Sequence, residues 1–158
     1  MNERPNWHQY FMNMAFLVSN RSTCLRRKVG AIIVIENQII STGYNGAPKH
    51  VRHCSETGCL RVQKKVPSGE RHELCRGVHA EQNAIIQAAI NATSIAEGSM
   101  YCTNQPCSIC AKLIINSEIK TIYIAETYED KLALEMLAEA DINLNLVNIE
   151  TGVLKRII

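Results

Sequence analysis

Residues 79–110 read HAEQNAIIQAAINATSIAEGSMYCTNQPCSIC, and the architecture of the chain follows from their pattern. The Ala- and Ile-rich run His79–Asn91 predicts a helix, and Ser99–Thr103 predicts a short strand. Cys107–Asn116 predicts a second helix, with Pro106 at its entrance, where the missing N–H is not needed. Alternation of helix and strand is typical of an α/β sheet that carries helices on both faces.

The upstream sequence adds a hairpin and a helix to this pattern. Val29–Ile35 is a run rich in β-branched residues, and Gln38–Thr42 follows after the polar pair Glu36 and Asn37, which predicts two adjacent strands. Before them, Asn6 is a plausible N-cap for an amphipathic helix. The residues predicted to share one face of that helix are Trp7, Tyr10, Phe11, Met14, Leu17 and Val18.

The downstream sequence continues the alternation to the end of the chain. Lys120–Ala125 predicts a strand, Tyr128–Ala140 a helix, and Ile142–Ile149 a half-exposed edge strand. The expected fold is therefore α/β, a three-layer α-β-α sandwich around a mixed sheet of five strands. We expect residues 1–158 to form a single domain, with one long insertion at about 48–76.

The insertion at 48–76 is polar and shows little periodicity. A loop of this length is uncommon inside a compact domain unless something holds it in place. Its Cys and His residues are His50, His53, Cys54, Cys59, His72 and Cys75. A bound metal ion would hold the insertion to the rest of the domain.

The composition is that of an ordinary globular protein. Of 158 residues, 46% are hydrophobic and 20% are charged, and the formal net charge is only +2. This balance argues against binding to a nucleic-acid polymer driven by charge. No apolar run reaches the roughly 18 residues of a membrane span, and no signal peptide is visible, so we expect a cytoplasmic protein without a membrane partner.

Seven cysteines are present, an odd number that disulfide pairing alone cannot satisfy. Metal binding is the better explanation for cysteines that lie close to histidines. Cys102 is different, because it lies in a strand-like run and is expected to be a small buried hydrophobic residue.

Two short motifs indicate the chemistry: His79-Ala80-Glu81 and Pro106-Cys107-Ser108-Ile109-Cys110. Together they match a known signature of zinc-dependent nucleobase deaminases, so the reaction class is recognised from that signature. Alone, Cys-x-x-Cys would also suit a redox pair or half of a structural zinc site.

The residue types suit a catalytic zinc with three protein ligands and one open position. Cys107 and Cys110 share one face in the first turn of a predicted helix, where free N–H groups favour thiolates. His79 would complete the ligand set. Glu81 can take the water proton, leaving hydroxide to attack the ring carbon, and can then deliver protons to the ring nitrogen and to the departing ammonia.

Almost the whole chain resembles the deoxycytidylate (dCMP) deaminase family. The matching segments are Arg21-Ser22-Thr23-Cys24, Val29-Gly30-Ala31, Gly43-Tyr44-Asn45-Gly46-Ala47-Pro48, His79–Ile85 and Pro106–Lys112. The resemblance implies the cytidine deaminase type of fold and hydrolysis of dCMP to dUMP and ammonia, which feeds thymidylate synthesis. It also implies a homo-oligomer, commonly a hexamer, that dCTP with Mg²⁺ activates and dTTP inhibits.

The resemblance also implies substrate contacts. Asn45 would bind the 3′-hydroxyl of the deoxyribose, although an Asn at this position could instead favour a left-handed turn before Gly46. The basic run Arg26, Arg27 and Lys28 is a candidate for the 5′-phosphate, as is Tyr128, which matches a family position near the nucleotide. Basic runs are more often simply solvated.

A second, structural zinc is expected from the cysteines outside the catalytic motifs. Some family members use cysteines at the positions of Cys24 and Cys54 for such a zinc, and four ligands are needed for a closed site. The expected set is Cys24, Cys54, His72 and Cys75, with Cys59 and His53 in reserve. The alternative is that these are buried thiols and surface imidazoles, with the insertion held by ordinary contacts or by neighbouring subunits.

Three functions remain open from the sequence. The first is dCMP deamination, and the second is the same reaction on another cytosine nucleoside, nucleotide or RNA base. The third is a non-enzymatic zinc module. Glu81 argues against the third, because a structural zinc site has no use for it.

Overall fold

The computed structural model describes residues 4–158, and its centre is a six-stranded mixed sheet with the strand order β2-β1-β3-β4-β5-β6. The strands are β1 Gly30–Ile35, β2 Gln38–Tyr44, β3 Ser99–Asn104, β4 Thr121–Glu126, β5 Asn143–Val147 and β6 Leu154–Arg156. Strands β3, β4 and β5 are parallel, whereas β1 is antiparallel to both β2 and β3.

Six α-helices accompany the sheet within the described residues. They are α1 Trp7–Ser19, α2 Cys54–Thr57, α3 Leu60–Gln63, α4 Ala80–Ile90, α5 Ser108–Asn116 and α6 Lys131–Glu139. No helix in this part of the chain is long and apolar enough to cross a bilayer.

The helices form a layer on each face of the sheet. Helix α1 buries Phe11 and Met12 against Ile32 and Tyr101 on one face. Helices α4, α5 and α6 cover the opposite face, where their small and branched side chains pack against the central strands. The predicted three-layer α-β-α architecture is confirmed.

Local signals near the N-terminus are also confirmed. Asn6 caps α1, since its side chain accepts a hydrogen bond from the Gln9 backbone N–H at 3.0 Å. The hairpin turns at Glu36 and Asn37, whose φ values of 48° and 61° match the two left-handed residues of a tight β-hairpin.

The largest differences from the prediction are an additional strand and a later start of α6. The sheet has six strands rather than five, because Leu154–Arg156 pairs antiparallel with β5. A strand of three exposed residues shows no alternation of buried and exposed side chains, so the sequence pattern did not predict it. Helix α6 begins at Lys131 rather than Tyr128, because the Asp130 side chain caps it by accepting from the Ala133 N–H at 3.0 Å.

The insertion at 48–76 is partly structured. It contains α2, α3 and a single 3₁₀ turn at His72–Leu74. Its Gly69 has a φ of +85° and lies so close to Tyr128 that a Cβ atom would overlap the Tyr128 hydroxyl. The insertion therefore packs directly against the loop between β4 and α6.

Candidate active site and metal centre

His79, Cys107 and Cys110 form a group of potential metal ligands whose donor atoms all lie within 4.8 Å of one another. The His79 Nδ1 atom is 3.5 Å from the Cys107 Sγ and 3.3 Å from the Cys110 Sγ. A tetrahedral zinc with ordinary bond lengths would hold a nitrogen and a sulfur ligand about 3.6 Å apart. The three side chains therefore fit zinc with little movement.

Helix starts position these ligands. His79 is the N-cap of α4, where its backbone N–H donates to the Gln82 Oε1 at 2.8 Å. Cys107 is the N-cap of α5, and Cys110 lies in the first turn of that helix, as predicted. All three ligands are thus held by the ends of two helices that pack on the same face of the sheet.

The two thiols are strongly coupled. The hydrogen bond from Cys110 lowers the pKa of Cys107 to about 4, although burial opposes that shift. The same hydrogen bond, together with burial, raises the pKa of Cys110. A metal ion binds cysteines as thiolates, so a dication bound here would displace the thiol protons.

Asp130 supports the start of the ligand-bearing helix, and sequence analysis missed this role. Its Oδ2 accepts from the Ser108 N–H at 2.8 Å at the start of α5, while its Oδ1 caps α6. Burial raises the pKa of Asp130, but hydrogen bonds from Ser108 and Ala133 outweigh it and leave that pKa below its usual 3.8. The sequence signal for this role is that Asp130 precedes Ala133 by three residues, which is the spacing at which an N-cap side chain accepts from the helix backbone.

We expect Asp130→Ala to lower the free energy of unfolding by about 2 kcal/mol at neutral pH, because two helix caps are lost. Since the pKa of Asp130 is depressed in the fold, its stabilisation is present above pH 3.8 and is lost as pH falls through the folded-state value. Urea denaturation at pH 7 and at pH 3 measures the difference. The exposed neighbour Glu129, changed to Ala, is the control, and an equal loss in both variants would contradict the capping role.

Glu81 lies in the first turn of α4 and is 5% exposed. Burial raises the pKa of this carboxyl, while the neighbouring His79 opposes the shift. Glu81 lines the same cavity as His79 and Cys107. A buried carboxyl with a raised pKa at this position suits proton transfer near neutral pH.

The cavity has a volume of about 150 Å³, which is room for far more than one water molecule. Four of the five predicted substrate-binding residues line it, namely Asn45, Arg26, Arg27 and Tyr128. Lys28 is exposed and is not among the lining residues, so the structure does not bring it to the site.

Asn45 connects two loops beside the cavity. Its Oδ1 accepts from the Ser22 hydroxyl at 2.6 Å and from the Val29 N–H at 2.8 Å, and its Nδ2 donates to the Arg27 carbonyl at 2.8 Å. Its φ is not positive, so the left-handed turn considered for this residue is wrong. One amide hydrogen remains to donate to a hydroxyl in the cavity.

The residues expected to hold a second metal lie together only in part. Cys24, Cys54, Cys75 and the reserve residue Cys59 line the cavity on the side of the insertion. Burial raises the pKa of Cys54, and the nearby thiols of Cys59, Cys24 and Cys75 raise it further. Within residues 4–158, however, only the His79 group has three ligand atoms at coordinating distance.

Of the two histidines considered for the second site, only His72 lies at the cavity. The His72 ring packs edge-to-face on the His79 ring, with centroids 5.3 Å apart, although His72 also lines the cavity. His53 is exposed and does not line the cavity.

Comparisons with known proteins agree with this geometry. The family model described as the cytidine and deoxycytidylate deaminase zinc-binding region matches residues 5–126. The chain belongs to the cytidine and deoxycytidylate deaminase family. Zinc is thus the metal that this family binds, and His79, Cys107 and Cys110 fit it.

Individual members of the family are similar along most of the chain. Deoxycytidylate deaminase of Schizosaccharomyces pombe is 35% identical over 142 residues, which are 89% of this chain but 44% of that protein. ComE operon protein 2 of Bacillus subtilis is 37% identical over 149 residues, 94% of this chain and 75% of that protein. The chain therefore spans less than half the length of the fungal relative.

A solved member of the family has the same fold. The dCMP deaminase of cyanophage S-TIM5, crystallised in complex with dCMP and dUMP, has a TM-score of 0.73 and 28% sequence identity. The match covers 90% of this chain and 98% of the phage protein. The cytidine deaminase type of fold expected from the sequence is confirmed.

Proposed function

We propose that this chain catalyses the hydrolytic deamination of dCMP to dUMP and ammonia, and that it supplies dUMP for thymidylate synthesis. The observation that carries the proposal is the meeting of His79, Cys107 and the buried Glu81 at one cavity. Support comes from relatives named deoxycytidylate deaminase and from the phage enzyme in complex with dCMP and dUMP.

In the proposed reaction His79, Cys107 and Cys110 hold the zinc, which supplies Lewis-acid activation of a water molecule. The Glu81 carboxylate takes a proton from the attacking water as the oxygen bonds to C4 of the cytosine ring. Glu81 passes this proton to the ring N3, then takes the second proton of the attacking water from the new C4 hydroxyl and gives it to the amino group, which leaves as ammonia as its bond to C4 breaks. Burial raises the pKa of Glu81, which favours its holding a proton for this return step.

The remaining cavity residues are proposed to bind the nucleotide. Asn45 would donate its free amide hydrogen to the 3′-hydroxyl, while Arg26 and Arg27 would face the 5′-phosphate. Tyr128, held against Gly69 of the insertion, would line the path to the ring. Binding energy from a remote phosphate can appear in kcat/KM, because it helps to hold the reacting ring in place.

Ammonia release from dCMP, deoxycytidine, cytidine and dCTP, measured in parallel, tests the substrate. We expect kcat/KM for dCMP to exceed the value for deoxycytidine by about 10²-fold or more, as for loss of a charged contact. Equal values would place the protein among nucleoside deaminases. Absence of ammonia from every substrate, with zinc bound, would favour the non-enzymatic zinc module.

We also propose a second zinc, held by Cys24, Cys54 and Cys75 with either His72 or Cys59 as the fourth ligand. Support comes from the grouping of the Cys24, Cys59 and Cys75 thiols around Cys54. Such a zinc would join the insertion to the segment before β1 and to the approach of α4, so it would contribute to folding.

Metal content per chain tests the second site in untagged protein purified without added zinc. We expect about two zinc ions in the wild type and about one in Cys54→Ser, with a lower Tm. Cys102→Ser is the control, because Cys102 is buried in β3 and is not one of the thiols grouped with Cys54. His72→Ala and Cys59→Ser identify the fourth ligand, and a single zinc in folded, active wild type would contradict the proposal.

Assembly and regulation are proposed from the family resemblance. The resemblance implies a homohexamer, and an interface between copies is supported by exposed apolar side chains on the helical layer α4–α6: Ile86, Ile90, Ile109, Leu113 and Leu132. Activation by dCTP with Mg²⁺ and inhibition by dTTP would act through such an assembly. We also propose a cytoplasmic location, because the proposed substrate dCMP belongs to the nucleotide pool of the cell. Light scattering and titration of the deaminase with both nucleotides test these points.

A further inference from the structure

Unpartnered polar atoms are concentrated at the active-site cavity. In the described chain, six buried side-chain nitrogen or oxygen atoms have no hydrogen-bond partner. Five of the six belong to residues that line the cavity: Thr23, Arg26, Arg61, His72 and Gln105. Buried polar groups normally find partners, so this concentration indicates a polar ligand at the cavity.

Arg61 is the least accessible of the cavity's cations. It lies in α3 of the insertion and is only 8% exposed. One of its terminal nitrogens donates to the Pro67 carbonyl at 3.2 Å, but its Nε has no partner. A buried guanidinium is costly unless an anion or several acceptors compensate for its lost hydration.

No carboxylate of the described residues compensates Arg61. The two ion pairs between residues 4 and 158 join Arg71 to Glu73 and Lys120 to Glu97, and both lie on the surface. The cavity is lined by three arginines, Arg26, Arg27 and Arg61, and by one acidic residue, Glu81. An anion with more than one negative charge would balance this excess.

We propose that Arg61 is a specificity-determining residue that, together with Arg26, binds the 5′-phosphate of the substrate. This inference rests on the proposed function and assigns a new role to the insertion. A phosphate monoester is the anion that matches, since it accepts several charge-assisted hydrogen bonds from guanidinium groups. Arg26 lies two residues after Cys24, and Arg61 lies two residues after Cys59. The segments that carry these two thiols therefore also position the two arginines.

Steady-state kinetics of Arg61→Met test the assignment. We expect the ratio of kcat/KM for dCMP to kcat/KM for deoxycytidine to fall by about 10²-fold, mainly through KM for dCMP, because one partner of a buried charge pair is lost. Arg61→Lys, which keeps the charge but not the planar fork, should recover part of the ratio. The matched control is Arg52→Met, an exposed arginine of the same insertion, which should leave the ratio unchanged.

Calorimetric titration with dUMP and with deoxyuridine gives a readout that does not depend on turnover. Arg61→Met should weaken dUMP binding and leave deoxyuridine binding nearly unchanged. Equal losses for both ligands, or for both substrates, would show a purely structural role and overturn the inference.

If wild type instead deaminates neither substrate, the proposed function fails, while the dUMP titration still decides whether Arg61 binds phosphate. If Arg61→Met does not fold, Arg61→Lys decides, and an unchanged ratio and dUMP affinity would overturn the inference.

Discussion

Glu81→Gln should lower the turnover of dCMP by at least about 10²- to 10⁴-fold while zinc content stays near that of the wild type. Gln keeps the shape of the side chain but cannot accept a proton from the attacking water. Glu81 is not one of the three clustered ligands, so the metal should stay bound. Single-turnover kinetics and elemental analysis of the same preparation measure the two quantities.

The same substitution makes a prediction about stability. Because burial raises the pKa of Glu81 above its ordinary 4.5, the ionised carboxylate is disfavoured in the fold, and this cost grows as pH rises above that value. Neutral Gln avoids the cost, so the Tm of the metal-free protein at neutral pH should not fall. The control is Glu139→Gln on the exposed side of α6. Normal turnover in zinc-replete Glu81→Gln would refute the proton-transfer role.

Cys110→Ala should remove the zinc bound by the His79 group and reduce turnover below that of Glu81→Gln. The remaining His79 and Cys107 leave two protein ligands where a catalytic zinc needs three. Without the metal, Glu81 has no activated water from which to take a proton. Zinc per chain should fall by about one, and added zinc should restore little activity.

Cys102→Ala is a matched control, because Cys102 and Cys110 are both fully buried thiols. Both variants lose the same atom from the interior, so similar packing losses of about 1 kcal/mol are expected from the thiol alone. Only Cys110→Ala should lose metal and turnover. If both variants kept a full complement of zinc and activity, the ligand assignment would be wrong.

Much of the fold was predictable because its signals are local. The Glu36–Asn37 turn, the Asn6 cap and the apolar periods of the helices depend on residues a few positions apart. The short β6 strand was missed because its three exposed residues are ordered by pairing with β5. The start of α6 was placed too early because an apolar pattern does not show where a cap begins.

The metal-binding trio was predictable because its two motifs match a known signature. Cys107 and Cys110 are one helical turn apart, and His79 opens the next helix upstream, so short motifs carry most of the geometry. The distribution of charge within the cavity was not predictable in this way. Arg26, Arg27 and Lys28 are equivalent in sequence, yet Lys28 lies outside the cavity lining.

The burial of Arg61 could not be predicted from its sequence neighbours. Its neighbours in sequence are ordinary for a polar insertion, and nothing in them distinguishes it from Arg52 or Arg71. It is buried because the insertion folds back over the loop that carries Tyr128. Short sequence motifs thus identified the residues that can hold the metal. Which arginine of the cavity is buried depended instead on the packing of segments that are distant in the chain. Burial depends on segments far apart in the chain, and that is the physical reason for the difference.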